Sequence, residues 1–173
     1  MNPNAFPQPG QPWPDQQGHY AGIIAKPDGA AWALTLPTDV PALPDQAWGE
    51  YSTLIEGADD PFDGYANTLA MADAGNELAQ AVRELPGDCY LPSRMEALVL
   101  FATLREQIGS GWVWTSTQYS AHSAWFQDFD NGNQNWGRKS SQWRAVPVRR
   151  LVLRSFGASL DNDAAREAAE VVR

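Results

Sequence analysis

Residues 111–151 read GWVWTSTQYSAHSAWFQDFDNGNQNWGRKSSQWRAVPVRRL, and this stretch decides the fold class of the 173-residue chain. Apolar and polar side chains alternate in three parts of it, which is typical of β-strands that bury one side. The three predicted strands are WVWTST, AWFQDF and QWRAVPVRRLVL. A short Ser/Ala/His loop joins the first two, and we expect residues 131–141 to form a long Asn/Gly loop before the third.

Upstream of these strands, the sequence predicts a β-hairpin and two helices. Two strand-like runs flank a Pro-Asp-Gly turn within residues 19–36, as expected of a hairpin. Residues 67–85 have apolar side chains at helical spacing and predict the first helix. Ser93 and Glu96 have the spacing of a capping box, so the second helix begins there and continues to Ile108. We expect this helix to bury the side that carries Leu98, Phe101, Ala102 and the stem of Arg105.

Both ends of the chain are expected to lie outside the main domain. Residues 1–18 contain five prolines, which fix φ and remove backbone donors, so this arm should be extended and outside any sheet. Its bulky Phe6 and Trp13 are candidate anchors for attachment to a neighbouring subunit, and an unattached tail is the alternative. Residues 155–173 have high helix propensity and predict a helical tail. Residues 19–154 remain as one domain, long enough to bury a hydrophobic core.

The charge distribution argues against a nucleic-acid partner. The formal net charge is −9, and residues 1–137 contain 4 basic and 17 acidic side chains. Residues 138–154, in contrast, contain 6 basic and no acidic side chains. These basic side chains either pair with acidic groups elsewhere in the domain or contact a phosphate or anionic glycan.

The sequence also bounds the compartment in which the protein is made. Cys89 is the only cysteine, so an internal disulfide is excluded and a reducing compartment is indicated. The N-terminal residues contain no basic segment followed by an apolar one, so we expect no signal peptide. No apolar run is long enough to span a bilayer, so we expect no membrane insertion.

Exposed aromatic and polar side chains between residues 119 and 142 form the candidate ligand-binding site. Rigid aromatic bodies combined with adaptable polar side chains are typical of recognition surfaces. The alternative is that the Asn and Gly residues there only satisfy turn geometry. The candidate ligand-binding residues are Tyr119, His122, Phe126, Asp128, Asp130, Asn133, Asn135, Trp136, Arg138 and Gln142.

Strand alternation predicts which aromatic side chains are buried. In residues 124–129 we place Trp125 and Phe129 in the core and Phe126 on the open side. Two further tryptophans, Trp112 and Trp114, share one side of the preceding strand and are also expected in the core.

The same region offers little for catalysis or metal binding. His19 and His122 have no acid or nucleophile beside them in the sequence. If Asp128 were the first ligand of an EF-hand-type loop, Lys139 would occupy the position of the bidentate glutamate, so the calcium signature fails. We therefore expect no catalytic residue, no metal and no cofactor, and we expect folding to be independent of calcium.

Four motifs, in the same order, resemble the DUF1566 family, also called Lcl C-terminal-like. They are similar to its W-x-LP-[ST]-[RK]-x-E, W-S-S-T-x-Y, A-W-x-x-x-F-x-x-G and R-x-[RV]-P-V-R patterns. In this chain they read DCYLPSRME from Asp88, WTSTQY from Trp114, AWFQDF with Asn-Gly from Ala124, and RAVPVRR from Arg144. Cys89 stands where the family has Trp, and Thr115 where it has Ser.

The resemblance covers residues 20–153 and implies an α+β, C-type-lectin-like fold. Such a fold has two helices, a small twisted and mostly antiparallel sheet, and terminal strands paired at its base. The resemblance is strongest to phage and prophage tail proteins, including the variable proteins of diversity-generating retroelements. Formylglycine-generating enzymes are similar in fold, but their chemistry needs paired cysteines, and this chain has only one.

These similarities imply a binding protein rather than an enzyme. The expected function is that of a tail-fibre or baseplate component that binds a host-surface receptor, either a glycan or a protein. We expect virion localisation, assembly with other tail subunits through the N-terminal arm, and homo-oligomerisation. The alternative is a virion connector or decoration protein that binds another viral protein.

Overall fold

The computed structural model describes residues 6–153, which form three helices and nine strands in two sheets. The helices are α1 (Gly64–Asp73), α2 (Glu77–Arg83) and α3 (Arg94–Ile108). The strands are β1 (Pro12–Trp13), β2 (Gly18–Ala25), β3 (Ala31–Pro37), β4 (Leu43–Ala47), β5 (Trp112–Gln118), β6 (Ser123–Asp128), β7 (Gln134–Arg138), β8 (Gln142–Ala145) and β9 (Arg149–Val152). The predicted α+β class is confirmed.

The first sheet has the strand order β1-β2-β3-β9 and joins the two ends of the domain. The predicted hairpin is confirmed as β2 and β3, whose turn is closed by a 2.8 Å hydrogen bond from Lys26 N to Ala30 O. β9 pairs antiparallel with β3, with Arg150 opposite Leu34. Strands that are more than 100 residues apart in sequence therefore lie side by side.

The second sheet has the strand order β4-β8-β5-β6-β7, and it corrects two expectations. The predicted third strand is split into β8 and β9 because Pro147 between them lacks a backbone donor, and the chain crosses there to the first sheet. The predicted Asn/Gly loop contains β7, which pairs antiparallel with β6. The connection is therefore a tight turn at Asn131-Gly132, where Gly132 has a φ of +85°.

The predicted helix over residues 67–85 is interrupted, which gives three helices rather than two. Gly75 has a φ of +80°, a left-handed conformation that ends α1. The Asn76 side chain then caps α2 by accepting a 2.9 Å hydrogen bond from Ala79 N. Its amide also donates to Trp48 O at 2.8 Å, which fixes the break against a distant loop.

The second predicted helix is confirmed as α3, and both hydrogen bonds of its capping box are present. Its buried side differs from the expected one. Leu98, Ala102 and Arg105 are exposed and Phe101 is half-buried, whereas the core contacts come from Ala97, Leu100, Leu104 and Ile108. The buried side of α3 is therefore rotated relative to the predicted one. Phe101, the half-buried member of the predicted set, packs on Phe129 with 5.9 Å between the ring centroids.

The proline-rich arm is part of the fold, so the expectation that it stays outside any sheet is wrong. Pro12 and Trp13 pair with β2 at the sheet edge, where the missing N–H of proline is tolerated. The rings of Phe6 and Trp13 both pack on Tyr20, with centroids 5.6 and 5.4 Å from it. The two candidate anchors are thus engaged within the domain, and a role in attachment stays a prediction. The predicted tail at residues 155–173 lies outside the described residues.

A buried carboxylate joins four segments of the domain. Glu96 Oε1 accepts hydrogen bonds from Trp32 Nε1 at 2.8 Å and from the Tyr90 hydroxyl at 2.7 Å. Its Oε2 accepts from Ser93 N at 2.7 Å and from Gly64 N at 3.2 Å. Burial raises the pKa of the Glu96 carboxyl to about 7, while the hydrogen bonds from Ser93, Tyr90 and Trp32 oppose that rise.

We predict that Trp13→Ala lowers the free energy of unfolding by about 3 kcal/mol, because removing a buried indole leaves a cavity against Tyr20. The measurement is urea denaturation at constant pH. Gln8→Ala is the matched control, since the Gln8 side chain is exposed in the same segment. Equal stability of both variants and the wild type would show that the N-terminal segment contributes nothing to the fold.

We predict that Glu96 makes stability fall as the pH rises. Its folded pKa of about 7 lies above its ordinary value of 4.5, so its contribution is complete below pH 4.5 and is lost as the pH passes through about 7. We expect a loss of roughly 1–3 kcal/mol between pH 5 and 7.5. In Glu96→Gln, which cannot titrate, this slope should disappear, although an amide donor facing N–H groups lowers stability at every pH.

The measurement is urea denaturation of the wild type and Glu96→Gln between pH 4.5 and 8. Glu106→Gln on the exposed side of α3 is the control and should retain the wild-type slope. Parallel curves for the wild type and Glu96→Gln would contradict the prediction.

Candidate functional site

The candidate site is built on the hairpin of β6 and β7, the latter an edge strand of the second sheet. Trp125 and Trp136 are directly opposite each other in the ladder. Because side chains alternate along strands, Gln134 and Arg138 point to the same side as Trp136. Pairing of two tryptophans across the ladder therefore creates an aromatic surface flanked by polar side chains.

Tyr119, which follows β5, completes this surface. Its ring is parallel to that of Trp136, with 5.0 Å between centroids and 2° between planes. It is perpendicular to Trp125, with centroids 5.5 Å apart. Tyr119 is 53% exposed and Trp136 is 48% exposed. We call Tyr119, Trp125 and Trp136 the aromatic face.

Arg94, the first residue of α3, supports the Trp125 ring of the aromatic face. The Arg94 guanidinium lies 3.7 Å from the centroid of the Trp125 ring, a cation–π contact. Arg94 Nε also donates to Gln134 Oε1 at 3.4 Å, and the Gln134 amide donates back to Arg94 O. Trp125 is thus enclosed between Arg94 and Tyr119, which restricts its motion.

A buried lysine positions the loop beside the aromatic face. Lys139 Nζ donates to Gln118 Oε1 at 2.6 Å and to Thr53 O, and it lies 4.6 Å from the centroid of the Trp48 ring. Burial lowers the pKa of Lys139 to about 8. The loop held in this way carries the exposed Tyr51, whose ring packs against the imidazole of His122 at 4.9 Å.

The prediction for residues 124–129 is wrong for Phe126 and Trp125, whereas the expected burial of Phe129 is confirmed. Phe126 is buried and packs against Trp143 at 4.4 Å and Trp112 at 5.1 Å, whereas Trp125 points to the aromatic face. The expected burial of Trp114 is confirmed, but Trp112 is 46% exposed. Residues are buried on both sides of β6, Phe126 on one and Gln127 on the other, so alternation alone did not indicate which aromatic ring is exposed.

The turn between β6 and β7 uses its polar side chains locally. The Asp128 carboxylate accepts hydrogen bonds from Asp130 N and Asn131 Nδ2, both at 2.8 Å. Asn131 Oδ1 accepts from Asn133 N at 2.9 Å. The Asp128 and Asn131 side chains therefore stabilise the turn itself. The turn lies at the opposite end of the hairpin from Ser123.

Of the ten candidate residues, the structure brings together only part of the set. Tyr119, Trp136 and Arg138 lie on one side of the hairpin, and His122 is exposed in the loop beside them. Asn135 points to the opposite side of β7, and Asp130 and Asn133 belong to the turn. Gln142 is exposed at the start of β8.

Two residues of this site were not predicted as part of it: Arg94, and Trp125, which was expected in the core. Alternation of Gln134, Trp136 and Arg138 could have indicated an edge strand, and with it the pairing of Trp136 with Trp125. No sequence signal indicates the contact between Arg94 and Trp125, because Arg94 is 31 positions earlier.

Internal partners account for four of the six basic residues of the 138–154 segment. Arg149 pairs with Asp39 at 2.8 Å and Arg150 with Asp63 at 2.9 Å. Arg144 donates to the backbone carbonyl groups at the end of α3, and Lys139 donates to Thr53 and Gln118. Arg138 is exposed beside the aromatic face, and Arg154 is outside the described residues.

The chemical groups of the site suit recognition. Within residues 6–153, no three His, Cys, Asp or Glu side chains lie close enough together to bind a metal ion. The thiol of Cys89 is buried.

The sequence matches no protein-family model and no curated protein. The function is therefore inferred from the geometry of the aromatic face and from the motifs.

We predict that Phe126→Ala lowers the free energy of unfolding by roughly 3–5 kcal/mol, whereas Trp136→Ala changes it by less than about 1 kcal/mol. The reason is that Phe126 is enclosed by Trp112 and Trp143, while half of Trp136 is in contact with solvent. Urea denaturation of the two variants measures the difference. A larger loss in Trp136→Ala than in Phe126→Ala would reverse the assignment of buried and open sides.

Proposed function

We propose that the protein is a non-enzymatic, C-type-lectin-like component of a phage tail fibre or baseplate, and that it binds a host-surface receptor through the aromatic face. The receptor is a glycan or a protein. The observation that supports this proposal best is the parallel, half-exposed ring pair formed by Tyr119, which follows β5, and Trp136 on the edge strand β7.

Exposed aromatic rings of this kind favour contact with a ligand. Water contact with two adjacent apolar rings is unfavourable, and a partner that covers them recovers that free energy. Trp and Tyr dominate the binding energy of protein interfaces because they combine a large apolar body with a polar tip. Arg138 and Gln134 beside the rings supply hydrogen-bond donors for hydroxyl or carbonyl groups.

The aromatic face is also prepared for binding before a ligand arrives. Trp125 is held between Arg94 and Tyr119, and Tyr119 is held by Trp136. Side chains that are already fixed lose little conformational entropy when a ligand binds.

The C-type-lectin-like assignment is supported by the positions of the family-like motifs in the fold. The motif around Ser93 begins α3, and its Glu96 is the buried carboxylate that joins four segments. The motif beginning at Trp114 forms β5, and Trp114 is fully buried. The last strand, β9, lies in one sheet with β1, β2 and β3, so strands from both ends of the described chain are joined there, as that fold requires.

Virion localisation, homo-oligomerisation and contact with other tail subunits are further parts of the proposal. Within residues 6–153, none of the helices has the length and hydrophobicity needed to cross a membrane. The net charge of −9 disfavours nucleic acid as a partner. The N-terminal segment is on the first sheet, away from the aromatic face on the second, so attachment there would leave receptor binding unobstructed.

One observation favours the alternative, a connector that binds another viral protein. β9 is at the end of the strand order of the first sheet and exposes Leu151 and Val152. An exposed apolar edge strand is a site at which another chain can add a strand. Cross-linking in purified virions from a variant at Val152 distinguishes this contact from receptor binding.

We predict that Trp136→Ala weakens attachment at least about 30-fold, as expected for an aromatic side chain at the centre of an interface. The probe is the fluorescently labelled wild-type protein on a panel of bacterial envelopes, followed by its competition with purified surface polysaccharide. Ile23→Ala is the control, because Ile23 is an exposed apolar side chain on β2 of the first sheet and belongs to neither aromatic site. Attachment should be the same in EDTA and in millimolar calcium.

Two outcomes would contradict the proposal. One is attachment that survives both Trp136→Ala and Tyr119→Ala. The other is attachment that is lost in Trp112→Ala but retained in Trp136→Ala, which would move the receptor site to the opposite side of the sheet.

A further inference from the structure

A second exposed tryptophan lies in a groove on the other side of the second sheet. Trp112 begins β5, and Trp143 is beside it because Val113 pairs with Arg144 in the parallel ladder of β5 and β8. Asp45, Asp130 and Arg144 also line the groove, which has a volume of about 510 Å³. We call it the tryptophan groove. It is on the Phe126 side of β6, whereas the aromatic face is on the Trp125 side.

The two indole rings of the tryptophan groove are perpendicular. Their centroids are 5.2 Å apart and their planes are at 90°. Phe126 stacks on the Trp112 ring at 5.1 Å and supports it, yet Trp112 remains 46% exposed. The faces of aromatic rings carry negative electrostatic potential, so two rings at a right angle attract a cation that lies in the open corner they form.

The carboxylates of the groove strengthen this preference. Within the described part of the chain, neither Asp45 nor Asp130 forms an ion pair, and both are exposed. Asp128 is directly opposite Trp112 in the ladder of β5 and β6, which adds a further negative charge nearby.

Arg144 offsets only part of this negative charge. Its guanidinium donates to Ile108 O at 2.7 Å, Gly109 O at 3.0 Å and Ser110 O at 2.6 Å. These carbonyl groups follow the C-terminal end of α3, where the helix dipole is negative and stabilises a cation. Burial lowers the pKa of Arg144, and the negative charges of Asp45 and Asp130 oppose that lowering, so Arg144 is within electrostatic reach of both aspartates. Together the two aspartates and Arg144 leave one net negative charge in the groove.

We propose that the tryptophan groove binds an organic cation, specifically a quaternary ammonium group such as that of choline. Such a group is bulky and weakly hydrated, so it can leave water and contact ring faces while carboxylates neutralise its charge. Anions are disfavoured by the aspartates. A neutral ligand that donates hydroxyl hydrogen bonds to the two carboxylates would leave their charge unneutralised.

The test compares choline with its uncharged isostere 3,3-dimethylbutan-1-ol, which has a carbon atom in place of the nitrogen. Binding to the full-length protein is followed by tryptophan fluorescence and by calorimetry. Choline should bind at least tenfold more tightly than the isostere, and added NaCl should weaken it. Equal affinity for the two compounds, or no binding of choline, would overturn the proposal.

Variants locate the choline site and separate it from the receptor site. Trp112→Ala should weaken choline binding at least about tenfold. The double variant Asp45→Asn and Asp130→Asn should also weaken it several-fold, and it keeps the fold because both side chains are exposed. Trp136→Ala should leave choline binding unchanged. Loss of choline binding in Trp136→Ala, or its full retention in the double aspartate variant, would overturn the assignment.

The source of the quaternary ammonium group is resolved by two further probes, phosphocholine and a peptide containing trimethyllysine. Tighter binding of phosphocholine would indicate a surface headgroup, and tighter binding of the peptide would indicate a modified protein. Because these titrations use neither a bacterial envelope nor the aromatic face, their result is independent of whether the proposed receptor function is correct.

Discussion

The buried carboxylate of Glu96 is the constraint on which the positions of the other functional elements depend. Its four donors come from β3, the start of α1, the start of α3 and Tyr90, so it fixes these segments relative to one another. One of the donors is the backbone of Ser93, the residue immediately before Arg94. Arg94 in turn contacts the ring of Trp125. The geometry of an exposed surface is thus determined by hydrogen bonds to a carboxylate that solvent does not reach.

The second sheet presents aromatic side chains on both of its sides, and packing decides which are exposed. On one side, Trp114, Phe126 and Trp143 are in mutual contact, and Trp112 is at the rim of this cluster. A Cβ atom at residue 137 would collide with the Trp143 ring, so only glycine allows β7 to lie this close to it. On the other side, α3 covers part of the sheet and leaves the outer strands open. The exposed rings therefore lie where neither the aromatic cluster nor α3 covers them completely.

Local signals in the sequence predicted most elements but not their orientation. The Ser93/Glu96 spacing defined the start of α3 because a capping box depends on residues three positions apart. Alternation in β6 was visible, but both of its sides carry buried residues, Phe126 on one and Gln127 on the other, so a period of two could not show that Trp125 lies in the aromatic face. Trp13 was assigned to a free arm because neighbouring prolines argue against sheet, although Pro12 tolerates an edge position. The contact of Arg94 with Trp125 depends on tertiary structure, so no local pattern could predict it.

Trp112 and Trp136 show how neighbours determine what an exposed tryptophan can bind. Their exposure is almost equal, and each stacks on one other aromatic ring. Trp136 lies near the cationic side chains of Arg94 and Arg138, whereas two aspartates and one arginine line the groove of Trp112. Since ring stacking is similar at both places, the difference in electrostatic potential selects the ligand. Because the two rings are on opposite sides of one rigid sheet, ligands at both could be bound at once, and two weak contacts on one cell surface would reinforce each other.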